Sequence, residues 1–317
     1  MNGALPSSLF TDPPRWEWLI VFYFFIGGIA GGAYFLAAII DFFGRWEDRP
    51  LARLGYYIAL PAVIASGILL ILDLSRPLRF WHMLLESETW LPMFKWWSPM
   101  SIGSWAILIF GVFTLGSFLA ALAEADRAWR WTRGLRWAWT PALRAPRPLG
   151  MVWTTIGALL GLFVAGYTGV LLAVTNRPVW TDTNLLGLAF LLSGASTGAA
   201  LLILLAAFAR GRRLLAPGVE VLKRFDSWVL VAELIVLIAL VISVGGAIVT
   251  RAWLTWWGVL FLVGVFIAGI LVPLALEVRR GPAMGMGTVM AAILVLVGGF
   301  VLRVVMLLGT EHISAGA

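Results

Sequence analysis

The chain has 317 residues, 61% hydrophobic and only 12% charged, with a net charge of +7. No soluble core hides so large an apolar share and disordered chains show the opposite balance, so the composition reads as an all-α integral membrane protein, a single membrane domain over 1–317. With no cysteine and two histidines, iron–sulfur clusters, thiolate chemistry and cysteine zinc sites within the chain are excluded. The basic residues sit in short connections between apolar runs, which points to membrane topology and a lipid bilayer, not to nucleic acid.

A membrane-crossing helix needs about 20 mostly apolar residues. Eight runs of that kind are expected, at 18–43, 56–74, 101–123, 151–174, 184–208, 228–250, 254–276 and 283–308. None alternates with a period of two, so transmembrane helices are favoured over a barrel. The first run lacks a basic lead-in, its first positive residue being Arg15, and reads as a retained helix and not as a signal peptide. It carries Gly27-Gly28-Ile29-Ala30-Gly31-Gly32-Ala33, and the fifth carries Ser193-Gly194-Ala195-Ser196-Thr197-Gly198-Ala199. One reading is a duplication with halves 1–174 and 184–308, each a four-helix bundle; the other is that small residues simply let helices pack closely.

The connections 41–55, 124–150, 209–227 and 277–282 hold 16 Lys and Arg: Arg45, Arg49, Arg53, Arg127, Arg130, Arg133, Arg136, Arg144, Arg147, Arg210, Arg212, Arg213, Lys223, Arg224, Arg279 and Arg280. The other side holds six: Arg15, Arg76, Arg79, Lys95, Arg177 and Arg251. This positive-inside bias places both termini outside the cytoplasm, which in a bacterium is the periplasmic side of the cytoplasmic (inner) membrane. Connection 75–100 carries Trp81, Trp90, Trp96 and Trp97, either an interfacial aromatic belt or a docking surface for an external partner. The basic 124–150 connection reads as a topology signal with room for anionic-lipid contact.

Ionisable groups inside a bilayer are costly, so each needs a reason. Asp73 ends the second run, either paired with Arg76 or Arg79 or serving as a proton-handling carboxylate at an outer cavity. Glu233 is expected a turn inside the sixth run near the cytoplasmic face, as a snorkelling group or as a proton-entry group that could begin a pathway with Asp226. Arg303, deep in the last run, requires a carboxylate or carbonyl partner. Tyr167 stands between glycines in Gly166-Tyr167-Thr168-Gly169, which lets another body approach its ring; its hydroxyl suits a quinone carbonyl as well as a backbone carbonyl. His82 and His312, in a connection and the tail, are poorly placed to ligate haem pairs, which speaks against a cytochrome b.

Several segments together resemble the NrfD-like family of polysulfide-reductase membrane subunits. They are the Gly27–Ala37 stretch, Asp73-Leu74-Ser75-Arg76-Pro77-Leu78-Arg79-Phe80-Trp81, Ser98-Pro99-Met100-Ser101-Ile102-Gly103-Ser104-Trp105, Gly166–Leu172, Asn176-Arg177-Pro178-Val179-Trp180 and Gly298–Arg303. The resemblance implies an eight-helix, haem-free subunit that binds menaquinone or ubiquinone near the outer face. It also implies electron exchange with an external iron–sulfur subunit, joined to a molybdopterin or multihaem cytochrome subunit. Carried over, Tyr167 would hydrogen-bond the quinone and Asp73 would handle its protons. The inward face of the first helix reads as Gly, Ala and Tyr34, so fewer quinone contacts, or contacts from other helices, are expected. Arg76, Arg79 and His82 join the candidate site by proximity to Asp73.

A quinone head needs a few donors in an apolar pocket, and its two-electron chemistry takes up or releases two protons. With no redox centre in the chain, a partner must supply the electrons. The alternatives are a proton or ion transporter, which broken helices at Pro61 and Pro273 would serve, or a purely structural membrane anchor.

Overall fold

The computed structural model describes residues 16–125, 140–175, 177, 179–209, 212–278 and 284–310. Arg15, Arg127, Arg130, Arg133, Arg136, Asn176, Pro178, Arg210, Arg279, Arg280 and His312, all used in the sequence reading, lie outside the described residues. Nine helices organise the described residues: α1 (Trp18–Phe43), α2 (Arg49–Asp73), α3 (Pro99–Glu124), α4 (Pro148–Ala173), α5 (Leu185–Phe208), α6 (Arg212–Val244), the short α7 (Gly246–Trp253), α8 (Trp256–Val278) and α9 (Met286–Leu307). Eight of these, all but α7, are long and apolar enough to cross a membrane, as expected. The protein is a multi-pass integral membrane protein. α1 starts and α9 ends on one face, here the terminal face; the opposite one, with the arginine-rich connections, is the basic face.

Local chemistry sets the helix ends. Pro occupies the first turn of α2, α3 and α4, where a missing N–H costs nothing, and Ser98 Oγ accepts from Ser101 N to cap α3. α6 stops before Gly245, whose φ of 85° is open to glycine and separates it from α7. α6 starts about four turns before the expected 228, because Leu214, Leu215, Val219 and Leu222 continue the apolar pattern through the basic segment. Glu233 consequently lies mid-helix and buried, not one turn from the basic face. α2 runs unbroken through Pro61. α8 winds as a π-helix over Leu260–Leu271, immediately before Pro273, which has no N–H to close a regular turn.

α1 is the central element, packed on α2, α4, α5 and α9. Helices α1 to α4 form a ring of neighbours, α5 joins α6 and α9, and α8 packs on α6 and α9. The two small-residue motifs meet across the α1–α5 seam. A Cβ on Gly32 would fall on the Gly194 carbonyl, and one on Gly198 would fall on the backbone of Gly32 and Ala33. Close packing is therefore a role that these motifs fill here.

At the basic-face end of α1, the Asp41 side chain is fully buried. It accepts from Tyr56 Oη at 2.9 Å and pairs with Arg144 Nη2 at 2.9 Å. Arg144 also pairs with Glu124 at 3.2 Å, and Arg49 and Arg53 approach Glu124 at 3.5 and 3.8 Å. Arg144 is thus a buried structural residue as well as part of the topology signal.

Candidate functional site

The connection from α2 to α3 folds back over the membrane end of the first four helices. Pro77–Met83 forms a short 3-10 helix, Leu85 pairs with Pro92, and Trp105 Nε1 on α3 donates to Met93 O at 2.9 Å. Beneath it, at the terminal face, lies a predominantly apolar cavity of about 240 Å³ bounded by α1, α2, α3, α4 and this connection. An apolar cavity of about 150 Å³ already admits benzene, so there is room for a substituted ring.

Four polar side chains line it: Tyr23 from α1, Asp73 from α2, Ser104 from α3 and Tyr167 from α4. Tyr167 is buried by close approach, because a Cβ on Gly103 would overlap its ring, so glycine at 103 is what gives the ring its place. Its ring stacks on Phe163 with centroids 5.5 Å apart, and its hydroxyl donates to Pro99 O at 2.5 Å. Ser104 Oγ donates to Met100 O at 2.8 Å. A phenol has one proton to donate. Tyr167 can therefore accept from a ligand hydroxyl while bonded to Pro99, but must leave that carbonyl to donate to a ligand carbonyl. Tyr23 has no protein hydrogen-bond partner among the described residues and so keeps its donor free. Asp73, exposed at the rim, forms no ion pair with Arg76 or Arg79 among the described residues, and Glu17 lies within electrostatic reach of it. The expected helix-end pairing with an arginine is thus not formed, which leaves the carboxylate available.

The family model described as polysulphide reductase, NrfD, matches residues 9–313. The chain belongs to the NrfD family. It is 31% identical over 306 residues to a polysulfide reductase chain of Wolinella succinogenes, covering 91% of this sequence and 92% of that protein. Protein NrfD of Escherichia coli is 27% identical over 311 residues, with 90% and 91% covered. A selenate reductase subunit of Mesobacillus selenatarsenatis is 26% identical over 235 residues, with 67% and 53% covered.

In this NrfD protein two of the residues singled out from sequence, Asp73 and Tyr167, meet at the cavity. The others lie elsewhere. Arg76 and Arg79 are exposed at the surface, and His82 Nδ1 donates to Arg79 O at 3.0 Å while its ring stacks on Trp81 at 3.7 Å, which stacks in turn on Trp90 at 4.9 Å. Tyr34 is fully buried deeper along α1, bonded to Ser117 Oγ at 2.7 Å and packed edge-on against Tyr56 and Phe110. Arg303 finds carbonyl partners as expected, Nη1 donating to Gly299 O at 2.8 Å and Nη2 to Phe190 O at 3.4 Å, and Nη1 also donates to the Ser193 hydroxyl at 2.5 Å.

Tyr23 was not singled out from sequence. An aromatic near the start of a span reads as part of the interfacial belt, and only its spacing of four from Gly27 hinted at an inward face. Gly103→Val is expected to displace the Tyr167 ring and to weaken binding of a quinone analogue about tenfold, checked by isothermal titration with the purified protein, because a valine side chain occupies the same space.

Proposed function

We propose that this NrfD protein is the haem-free, quinone-binding membrane subunit of a multi-subunit oxidoreductase, taking menaquinone or ubiquinone in the terminal-face cavity and exchanging electrons with an external iron–sulfur subunit. The observation that carries this reading is the convergence of two tyrosines and an unpaired carboxylate on one apolar cavity. A ring with two oxygens and an apolar tail matches that lining. The bound quinone supplies two-electron, two-proton chemistry. Tyr23 and Tyr167 orient its oxygens, Tyr167 accepting from the hydroxyl of the reduced form, and Asp73 at the rim exchanges the protons with solvent.

The terminal face is the outer face under the positive-inside bias. Electrons enter or leave over the connection from α2 to α3, whose Phe80, Met83 and Leu84 line the cavity and whose Trp90, Trp96 and Trp97 stand exposed and offer an aromatic docking surface. The relatives named as polysulfide and selenate reductase components support membership in a reductase complex, the catalytic partner carrying a molybdopterin or multihaem centre.

The test is purification from native membranes in mild detergent, with mass spectrometry of co-purifying chains and of extracted quinone. An iron–sulfur protein and bound quinone are the expected result; a protein that emerges folded, alone and without quinone overturns the reading in favour of transport. Tyr167→Phe is expected to lower quinol turnover about fivefold with assembly intact, since one hydrogen bond of roughly 1 kcal/mol is removed. Unchanged turnover would remove Tyr167 from the site.

A further inference from the structure

A second set of polar residues lies in α5, α6, α8 and α9, away from the cavity. Along α6 come Glu220, Lys223, Asp226 and Glu233, and the rise from Glu220 to Glu233 is about 20 Å, from the basic face to mid-membrane. Glu220 is partly exposed and pairs with Lys223 at 3.4 Å. Asp226 is fully buried, and Ser196 Oγ on α5, also buried, and the Glu277 carboxyl of α8 stand within reach of it, although among the described residues neither contact attains full hydrogen-bond geometry. Glu277 of α8 and Glu233 are within electrostatic reach of Asp226, and Ser227 Oγ donates to Glu277 Oε2 at 2.8 Å. A buried carboxyl beside a second carboxyl and a hydroxyl is costly to keep ionised unless a proton is shared among them.

Glu233, itself buried, is enclosed by Ser193, Ser196 and Thr197 of α5, by the π-helical stretch of α8 and by Gly298 and Gly299 of α9, with Arg303 as the charged group nearest it. π-helical turns concentrate at functional sites. Arg303 in turn lies over Phe190 at 5.1 Å; Phe190 meets Phe24, and Phe24 meets Tyr23 of the cavity wall, at 6.0 and 5.3 Å. Gly28 leaves space for the guanidinium beside α1.

We propose that Glu220, Glu277, Asp226 and Glu233, with Ser227 and Ser196 between them, form a proton relay from the basic face to the middle of the membrane, ending beside Arg303. In each step one O–H bond breaks as the O–H of the next carboxylate or hydroxyl forms. A proton moves without change of oxidation state, and a hydronium at the basic face replaces it, leaving water. Arg303 balances the Glu233 carboxylate when the relay is empty, and the packed aromatic row passes the resulting shift of the Arg303 side chain to the wall of the cavity. Only this coupling to quinol turnover rests on the quinone reading; the relay itself does not.

Infrared spectroscopy after a pH jump, on the full chain in lipid vesicles, reads the carbonyl stretch of a protonated carboxyl. The expected band vanishes in Glu233→Gln and fills about tenfold more slowly in Asp226→Asn, because a positioned proton carrier has been lost. A band that persists in Glu233→Gln, or fills equally fast in Asp226→Asn, overturns the relay. Ser196→Ala makes the smaller change at the same step and is expected to slow filling likewise; filling at the wild-type rate in it also overturns the proposal. For the coupling, menadiol is supplied to the complex from native membranes reconstituted with a pH dye in the vesicle lumen. Glu233→Gln is expected to lower the protons moved per electron, and an unaltered ratio overturns the coupling. Absent wild-type turnover overturns the quinone reading and the coupling with it, while the infrared result decides the relay separately.

Discussion

Gly32→Val is expected to abolish assembly of the chain in the membrane. Gly32 of α1 faces Gly194 of α5 so closely that an added Cβ would fall on the Gly194 carbonyl oxygen and carbon and the Ala195 Cα. These are backbone atoms of a helix held on both sides, so no rotamer change relieves the overlap; α1 and α5 must separate. α1 also packs on α2, α4 and α9, so separation from α5 disturbs the packing of all of these helices. Overpacking of a rigid core costs about 1–3 kcal/mol, and a backbone clash of this kind belongs at or beyond the upper end. Gly111→Ala on α3 is the control, because its Cβ would meet only a Val63 methyl at 3.7 Å. It is expected to change stability by less than about 1 kcal/mol. Membrane abundance and thermal unfolding followed by size-exclusion chromatography separate the two outcomes; a Gly32→Val protein as abundant and as stable as the control would refute the seam.

Asp41→Ala is expected to destabilise the protein by about 3–5 kcal/mol, the usual cost of removing one member of a buried ion pair. The buried Arg144 would lose its shortest partner and Tyr56 Oη its acceptor, both at 2.9 Å. Glu124 remains near Arg144 at 3.2 Å but is shared with Arg49 and Arg53. What is lost is not replaced by solvent, because the Asp41 side chain has no exposure. Arg144→Leu in the same background should recover part of the loss, since an apolar side chain there leaves no uncompensated charge. A double-mutant cycle by thermal denaturation in detergent measures this, and strict additivity of the two changes would show that the pair is not coupled. Quinone-analogue binding at the terminal face should survive in whatever protein folds, since neither residue lines the cavity.

The transmembrane helices were legible because span length and apolar run length are tied by the thickness of the bilayer. α6 shows the limit of that rule: apolar residues on one helical face carried it back through a basic segment that hydropathy reads as loop. Tyr167 and Asp73 could be singled out because a tyrosine between glycines and an acid at a span end each contradict their surroundings. Tyr34 stood out for the same kind of reason, yet it lies about 16 Å along α1 from Tyr23, in a hydrogen bond with Ser117 that no local pattern announces. Asp41 lies at the end of the first apolar run and Arg144 counts in sequence only as a topology charge; 103 residues separate them, and only folding makes them a buried pair.

Membrane insertion, the number of crossings and the class of protein follow from the sequence alone, because each depends on composition within a single segment and on the cost of placing polar groups in lipid. Which tyrosine keeps a free hydroxyl, which acid is left without an ion pair, and which arginine is structural were decided only by the tertiary structure. Those properties depend on which atoms arrive within about 3 Å of one another, and helix packing sets that distance between residues far apart in the chain.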